Sequence, residues 1–429
     1  MTGRVTSRLA SLAVAALATA APVYADCLAF ADALSLASSN DPSVRVARAN
    51  LDNAEAGLQQ ARSLRRPQLA AFGRTGIGDN GLVDSQIENQ IGVRLSQRVI
   101  DFGDSSLARK AARSDIAAQE NFVLDAKAAA ALDAGLSYIA WQEALAQLRA
   151  TEERVSYFSQ QLEAIESLLV QGGATRLEQA EVAAEKASAE AIRFEFEFRR
   201  DRAATEVALA TGDAGALCDN ARLQVSNRAS AESPEDLQDL VASAVRQNPG
   251  LEALRRTSDG LDASAKRQAR ERLPIIDVVG IASYASEDFD GGFDLQTRVG
   301  VNVSVPILTG SALTARRRQA SAQAARARGE LAVARRNLQE DIQVTHRRTL
   351  LLEAQNARQA DVARLKTAQF DAAKIEYEQG LRTLPRLIEI RLELEQASLN
   401  SIATEFNLAR ERLRLAALTG QILQAPNDS

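Results

Sequence analysis

The chain has 429 residues and a formal net charge of −5, and only 4% of its residues are aromatic. The weakly negative charge excludes a large basic surface for nucleic acid. An alanine-rich, charged composition is typical of long packed helices rather than of a globular α/β core. No nucleophile, base and orienting group occur in a recognisable pattern, and the one histidine, His346, has no cysteine near it. We therefore expect neither an enzyme nor a metal or cofactor site.

The N-terminus has the features of a secretory signal peptide. Arg4 and Arg8 precede a short apolar run at 9–21, and small residues before Asp26 form a cleavage site, so residues 1–25 are predicted to be removed. The run is too short for a membrane helix, and no later run approaches the ~18 apolar residues that one needs. A membrane crossing would therefore have to use strands.

Cys27 and Cys218 are the two cysteines of the chain. Asp26, directly before Cys27, argues against a lipid anchor on that cysteine. In an exported protein a disulfide between the two is plausible, and two free thiols are the alternative.

The mature sequence reads as two copies of one unit, at 26–213 and 234–421, joined by a polar linker at 214–233 and followed by a tail at 422–429. Marker residues of the first copy recur 207 or 208 positions later in the second. The pairs are Pro42 and Pro249, Pro67 and Pro274, Ile91 and Val299, Gly172 and Gly380, and Gly212 and Gly420. A register held over the whole unit indicates a structural repeat.

Each copy has the same predicted order of elements: two short helices, a β-hairpin, a very long helix and a return helix. In the first copy the short helices lie at 29–39 and 43–66, the strands at about 67–78 and 89–102, the long helix at 105–171 and the return helix at 176–211. In the second copy the short helices lie at 234–247 and 251–272, the strands at about 274–286 and 295–308, the long helix at 311–379 and the return helix at 384–419. The alternating run Arg193–Arg200 lies inside this pattern and is predicted to be helical.

The second strand of each hairpin has a period-two pattern. In Ile91–Phe102 apolar residues alternate with small or charged ones such as Arg94 and Arg98, whereas the polar side of Val299–Leu308 carries no charge. Such a sheet needs lipid on one face and water on the other, and it must close to leave no edge. Antiparallel outer-membrane barrels begin at eight strands, so we expect several copies of the chain to share one barrel. The run Arg316–Arg318 indicates either contact with anionic head groups or a solvated collar below the membrane.

The long helices are predicted to form antiparallel coiled coils. In the first, apolar residues fall at three- and four-residue spacing, namely Leu148, Val155, Phe158, Leu162, Ile165 and Leu169. About 65 residues at 1.5 Å each give a rod of roughly 100 Å. The residues alone thus predict a mainly α protein with a small β part, forming an oligomeric helical tube that strands anchor in a membrane.

The order and double occurrence of these features resemble the TolC family of outer-membrane efflux and secretion channels, over nearly all of the mature chain. The motifs that carry the resemblance are Asp41-Pro42, Asn248-Pro249, Leu95–Gly103, Val305–Gly310, Gly172–Glu178 and Tyr377–Thr383. Arg98 stands where that family has a proline, which the second copy keeps as Pro306.

The resemblance implies a homotrimer in the outer membrane of a Gram-negative bacterium. Four strands from each protomer would form a twelve-stranded transmembrane β-barrel above a periplasmic α-barrel of twelve helices. Such proteins are exit ducts of tripartite efflux pumps or type I secretion systems, and they have no cofactor. Their partners are a periplasmic adaptor (membrane-fusion) protein and an inner-membrane transporter. The alternative is a periplasmic adaptor or coiled-coil scaffold of a transport complex, against which two equal repeats with membrane-type strands argue.

The resemblance also implies a gate at the periplasmic tips of the two repeats. Tyr377 and Arg382 match a tyrosine and an arginine of the family's closing network, and Glu178 matches an aspartate that partners them. Two further aspartates ring the aperture and favour cations; Arg386 and Glu389 stand at their positions, so Arg386 reverses one charge of that ring. Adaptor docking is predicted at the turn residues of the tips, which are Gly172, Gly173, Thr175, Gly380 and Thr383.

Overall fold

The computed structural model describes residues 27–78, 86–219, 234–286 and 294–423. The predicted signal peptide, the predicted hairpin loops at Asp79–Gly81 and Asp290–Gly292, most of the linker and the last six residues lie outside this part. The elements are α1 (Phe30–Asn40), α2 (Pro42–Ser63), β1 (Gln68–Gly78), β2 (Gln86–Ile100), α3 (Asp104–Val170), α4 (Arg176–Thr211), α5 (Pro234–Gln247), α6 (Pro249–Gln268), β3 (Ile275–Ser286), β4 (Asp294–Ser304), α7 (Ala312–Glu378) and α8 (Leu384–Leu418). The prediction of a mainly α chain with a small β part is confirmed.

The second helix of each repeat begins at a proline. The side chain of Asp41 accepts a hydrogen bond from the backbone N–H of Ser43, and the Asn248 side chain accepts one from Leu251. These N-caps place Pro42 and Pro249 in the first helical turn, where the missing N–H costs nothing. Both helices therefore begin one or two residues earlier than the predicted 43 and 251.

The four strands form one antiparallel sheet in the order β1-β2-β3-β4. Because β2 pairs with β3, the sheet joins the hairpins of the two repeats. A Cβ on Gly92 of β2 would lie 2.6 Å from the Cβ atom of Ser283 in β3 and 2.6 Å from the carbonyl oxygen of Ala282. The glycine thus permits the close approach of the two central strands.

The structure corrects the ends of the two second strands. β2 ends at Ile100 rather than near 102, after a register shift between Arg98 and Ile100 that leaves Val99 unpaired. β4 ends at Ser304 rather than near 308. Pro306 follows, and a proline has no N–H to donate to a neighbouring strand.

Two rods dominate the molecule. The helices α3 and α7 have 67 residues each, which corresponds to roughly 100 Å. Each packs against the return helix that follows it, α4 or α8. The chain reverses through Gly172 and Gly380, whose φ angles are +75° and +73°, and this left-handed conformation favours glycine.

The largest buried cluster lies where the short helices meet the rods. Phe30 of α1, Tyr138 and Trp141 of α3 and Leu413 of α8 belong to it. A Cβ on Gly135 in α3 would lie 2.7 Å from a methyl carbon of Leu413, so this glycine lets α8 pack directly on α3. Among the described residues, no helix combines the length and apolarity needed to cross a membrane.

Candidate functional site

One face of the sheet is apolar, as the strand register shows. Val93 of β2 lies opposite Ala71 of β1 and Ala282 of β3, and Val301 of β4 lies opposite Val278 of β3. Large side chains of this face are exposed in the single chain; they are Leu69, Ile91, Val93, Leu95, Val278, Tyr284, Leu295, Val299, Val301 and Val303. A soluble surface rarely exposes so continuous an apolar patch. This face therefore requires an apolar environment.

The opposite face is polar in both hairpins. Arg94 of β2 and Arg298 of β4 lie on either side of Ile281 of β3, in one row across the sheet. From Val299 to its end, β4 carries no charge on this face, as the alternation indicates. Arg298 comes directly before that stretch, inside the strand predicted at about 295–308, and it gives this face of β4 a charge.

An ion-pair network ties the end of β2 to the first turn of α3. The Arg98 guanidinium lies 3.6 Å from a carboxylate oxygen of Asp277 and 3.7 Å from one of Asp104. Arg267 of α6 also reaches Asp104, at 2.9 Å. The residue that replaces a proline in this strand thus connects the polar sheet face to two helices.

Asp101 fixes the turn between β2 and α3. Its carboxylate accepts hydrogen bonds of 3.1 Å from the backbone N–H groups of Gly103 and Ser105. Burial alone would raise the pKa of Asp101, but the hydrogen bonds from Ser105 and Gly103 outweigh it and hold the pKa below its usual value. The carboxylate therefore stays ionised and holds the helix start in place.

The tip residues predicted to dock an adaptor lie at the two helical turns. At the first turn, Thr175 and Glu178 form a capping box, in which Thr175 Oγ1 accepts from the N–H of Glu178 and Glu178 accepts from the N–H of Thr175 at 2.8 Å. At the second turn, Thr383 is the N-cap of α8 without a side-chain hydrogen bond. The remaining predicted docking residues are the turn glycines Gly172, Gly173 and Gly380. The first tip is thus capped more firmly than the second.

The predicted gate residues form different pairs within one protomer. Arg382 donates to Glu376 of its own hairpin, with Nε at 2.8 Å from the carboxylate, and it forms no pair with Glu178. Tyr377 is half-buried. Its pKa is raised mainly by burial and, to a smaller extent, by the negative charge of Glu178. The structure therefore brings Glu178 near Tyr377. The partner of Arg382 is Glu376, which the sequence did not predict.

Arg386 and Glu389, at the positions of the expected aperture ring, form an ion pair on one turn of α8. The hydrogen bond to Glu389 raises the pKa of Arg386. These opposite charges lie three residues apart and largely cancel each other locally. Within one chain the two side chains thus pair with each other, and their place in an aperture ring stays a prediction.

A buried charge cluster, which the sequence did not predict, joins the two coiled coils. Arg154 of α3 contacts Glu395 of α8 at 2.8 Å and Glu185 of α4 at 2.9 Å. The side chains of Arg154 and Glu395 are each only 6% exposed. Next to them, the Arg391 guanidinium lies 5.3 Å from the ring centroid of Tyr157. The apolar spacing gave no sign of these groups, because a coiled-coil seam favours apolar residues.

Cys27 and Cys218 form a disulfide bond in the structure, although they lie 191 residues apart in the sequence. The adjoining backbone pairs as well, since the N–H of Cys218 donates to the carbonyl of Leu28. The hydroxyl of Tyr138 donates to the Leu28 and Cys218 carbonyls, each at 3.1 Å. The start of the first repeat and the segment that follows it are thus anchored to the largest buried cluster.

The described residues contain no group of three or more His, Cys, Asp or Glu that could hold a metal ion. His346 is buried in α7.

Comparisons with known proteins match nearly the whole chain. A family model described as outer membrane efflux protein matches residues 33–213 and 240–421. The chain is 23% identical over 398 residues to the outer membrane efflux protein BepC of Brucella suis, covering 91% of this chain and 85% of BepC. The fold is similar to that of the Campylobacter jejuni CmeC outer membrane channel, with a TM-score of 0.79 at 16% identity over 93% of this chain and 87% of that one. It is also similar to the open state of the Neisseria gonorrhoeae MtrE outer membrane channel, with a TM-score of 0.77 at 14% identity over 94% of this chain and 91% of that one.

Proposed function

The chain belongs to the outer membrane efflux protein family, and on that premise we propose that three copies of it form a closed duct from the periplasm to the exterior. It is an outer-membrane protein with a periplasmic helical part, and it serves as an exit duct of an efflux pump. Three copies of four strands would give a twelve-stranded barrel, above the minimum of eight.

The apolar face of the sheet carries this proposal. In one chain the sheet ends at β1 and β4, and each has a partner on one side only within the described residues. Unpaired backbone groups in lipid cost several kcal/mol each, so an apolar-faced sheet must close. Closure with further copies satisfies both edges and places Arg94 and Arg298 towards the water-filled interior.

Exposed apolar side chains on the helices support assembly with further copies. Phe194 and Phe198 of α4 are 59% and 68% exposed and lie one turn apart. On α7, Val344, Leu351 and Val362 are also exposed, at spacings of seven and eleven residues that keep them on one helix face. A neighbouring protomer would cover both stripes.

The tips would dock a periplasmic adaptor and, through it, an inner-membrane transporter. Val170, Leu177 and Leu381 near the two turns are 90%, 68% and 75% exposed. Apolar side chains so far from the sheet have no lipid to contact, so contact with a partner protein is what would bury them. Crosslinking at Leu381, with Arg326 in the first quarter of α7 as the control position, would identify the partner and separate an efflux pump from a type I secretion system.

Two neighbouring positions of β4 test the duct. Val301 lies on the apolar face and Asn302 on the polar face. A lysine on the lipid side costs about 2–4 kcal/mol per chain near the membrane midplane, so Val301→Lys should reduce trimer in the outer-membrane fraction. Asn302→Lys should assemble normally and change single-channel conductance. Equal assembly of both variants, or extraction of the wild type from the periplasm without detergent, would instead favour a periplasmic adaptor or scaffold.

A further inference from the structure

A cationic cavity lies between the first turns of α3 and the helix α6. Its volume is about 470 Å³. No acidic side chain lines it; the lining residues are Ser106, Arg109, Lys110, Arg113, Ser114, Ala117 and Arg256. Four cations and two hydroxyl groups therefore converge on one space, and all of these groups can donate hydrogen bonds.

Most of this positive charge has no counter-charge. The Arg256 guanidinium pairs with Glu252 at 2.7 Å. Within the described part of the chain, Arg109, Lys110 and Arg113 form no ion pair, and Arg109 uses only its Nε, to donate to a backbone carbonyl at 3.3 Å. Three uncompensated cations within two helical turns repel one another, so an anion bound between them would stabilise the site.

The cavity lies just below the sheet. The strand β2 ends at Ile100 and α3 begins at Asp104. At 1.5 Å per residue, Arg109 and Arg113 lie roughly 8 and 14 Å along the helix from Asp104. The head-group layer on each side of a bilayer is about 5–8 Å thick, and arginine and lysine side chains reach several ångströms along the helix. The cavity is therefore within reach of the head groups.

The second repeat also carries basic residues in the first turns of its long helix. Arg317 and Arg318 stand 208 positions after Arg109 and Lys110, in the first turns of α7, and both are exposed. Each repeat thus places two adjacent cations five and six residues after the first residue of its long helix. The cavity itself is formed beside α3 of the first repeat, where α6 of the second repeat supplies Arg256.

We propose that this cavity binds the phosphate group of an anionic phospholipid at the periplasmic face of the outer membrane. Arginine forks and the lysine ammonium bind phosphate oxygens by charge-assisted hydrogen bonds, and the hydroxyls of Ser106 and Ser114 complete the donor set. A soluble phosphate ester offers the same chemistry, but the depth of the cavity favours the lipid. The inference rests on the proposed position of the sheet in the membrane.

Native mass spectrometry of the purified protein with phosphatidylglycerol or phosphatidylethanolamine tests the proposal. The test variant is Lys110→Gln/Arg113→Gln. The control, Arg326→Gln/Arg364→Gln, loses the same charge at side chains of α7 that are 80% and 77% exposed. Each basic residue near an anionic surface strengthens binding about fivefold. The test variant should therefore bind phosphatidylglycerol about 25-fold more weakly, with little change for phosphatidylethanolamine, while the control should bind like the wild type.

Equal retention of phosphatidylglycerol by wild type and test variant would overturn the proposal. So would displacement of the lipid by glycerol 3-phosphate at equal concentration, since the site would then belong to a soluble phosphate ester. Outer-membrane insertion and thermal midpoint are measured on the same samples. Failure of the wild type to insert would contradict the proposed barrel. Normal insertion with unchanged lipid retention would contradict only the proposed phosphate site in the cavity. If the double variant does not assemble, Lys110→Gln alone takes its place, because the exposed side chain of Lys110 supports no packing. This single variant should bind phosphatidylglycerol about fivefold more weakly.

Discussion

Replacement of Arg154 by methionine should destabilise the protein far more than loss of a typical surface arginine. Arg154 bridges α3 to Glu395 of α8 and to Glu185 of α4. Methionine fills much of the same volume but leaves the Glu395 carboxylate without its closest cation. In the described residues, Glu395 Oε1 already accepts no hydrogen bond. A buried carboxylate that loses its partner is strongly disfavoured.

The expected loss follows from burial and size. Breaking a buried pair by removing one partner costs about 3–5 kcal/mol. An unfolding entropy of about 2.1 cal/mol/K per residue gives close to 0.8 kcal/mol/K for some 400 residues, so Arg154→Met should lower the thermal midpoint by about 5 °C. The matched control is Arg149→Met, on the same helix. Arg149 pairs with Asp219, and these side chains are 53% and 47% exposed. Loss of an exposed pair costs about 0–1 kcal/mol, or no more than about 1 °C.

The deficit should also depend on pH. Burial raises the pKa of Glu395 above its ordinary value, although the charges of Arg154 and Arg391 oppose the shift. Without Arg154 the pKa should rise further. A carboxyl whose folded pKa is raised stabilises the fold below the unfolded pKa, and this contribution disappears as pH rises through the folded pKa. The deficit of Arg154→Met should therefore be full at pH 7.5 and shrink towards pH 4.5.

Scanning calorimetry of the detergent-solubilised protein would measure both effects. Glu395→Gln in the Arg154→Met background should remove the pH dependence, because glutamine does not titrate. A midpoint loss no larger than that of Arg149→Met would refute the reasoning. A deficit that is equal at pH 4.5 and 7.5 would show that the lost stability comes from packing rather than from the carboxylate.

Three further substitutions probe other parts of the molecule. Arg382→Ser, which breaks the pair with Glu376, should loosen the second tip and raise single-channel conductance; unchanged conductance would contradict a latch at this residue. Cys27→Ser should lower stability by about 2–5 kcal/mol, since it opens a long covalent loop, and the thermal midpoint of non-reduced wild type and variant would show it. Gly92→Ala should reduce trimer yield, because its Cβ would collide with Ser283, whereas Gly73→Ala, with open space around its Cβ position, should not.

The backbone was largely predictable because its signals are local. The reversals at Gly172 and Gly380 need a left-handed residue, and proline sets the starts of α2 and α6. The apolar sheet face followed from strict alternation. The end of β4 was predicted too late, since alternation continues through Ile307 although Pro306 cannot donate to a ladder.

The charge pairs were less predictable because they join distant parts of the sequence. Arg154 lies among the apolar residues of the α3 seam, and nothing near it in sequence indicates that Glu395 completes the pair. At the tip, Glu178 matched a partner for Arg382 by position, but its carboxylate caps its own helix at Thr175. A side chain with a local partner is not free for a distant one, and sequence alone does not show which wins.

The difference between the repeats fits the way in which a closed sheet must be assembled. β2 and β3 are paired on both sides within one chain and have 15 and 12 residues, whereas β1 and β4 each have 11. β1 and β4 are therefore the edge strands that would meet between protomers. Pro306 is tolerated beside such an edge because it lies beyond the last paired residue. Arg98, at the equivalent place in β2, is still paired with Asp277 of β3 and can form ion pairs with Asp277 and Asp104. The repeat therefore uses proline where strand pairing ends and a charged network where the sheet continues.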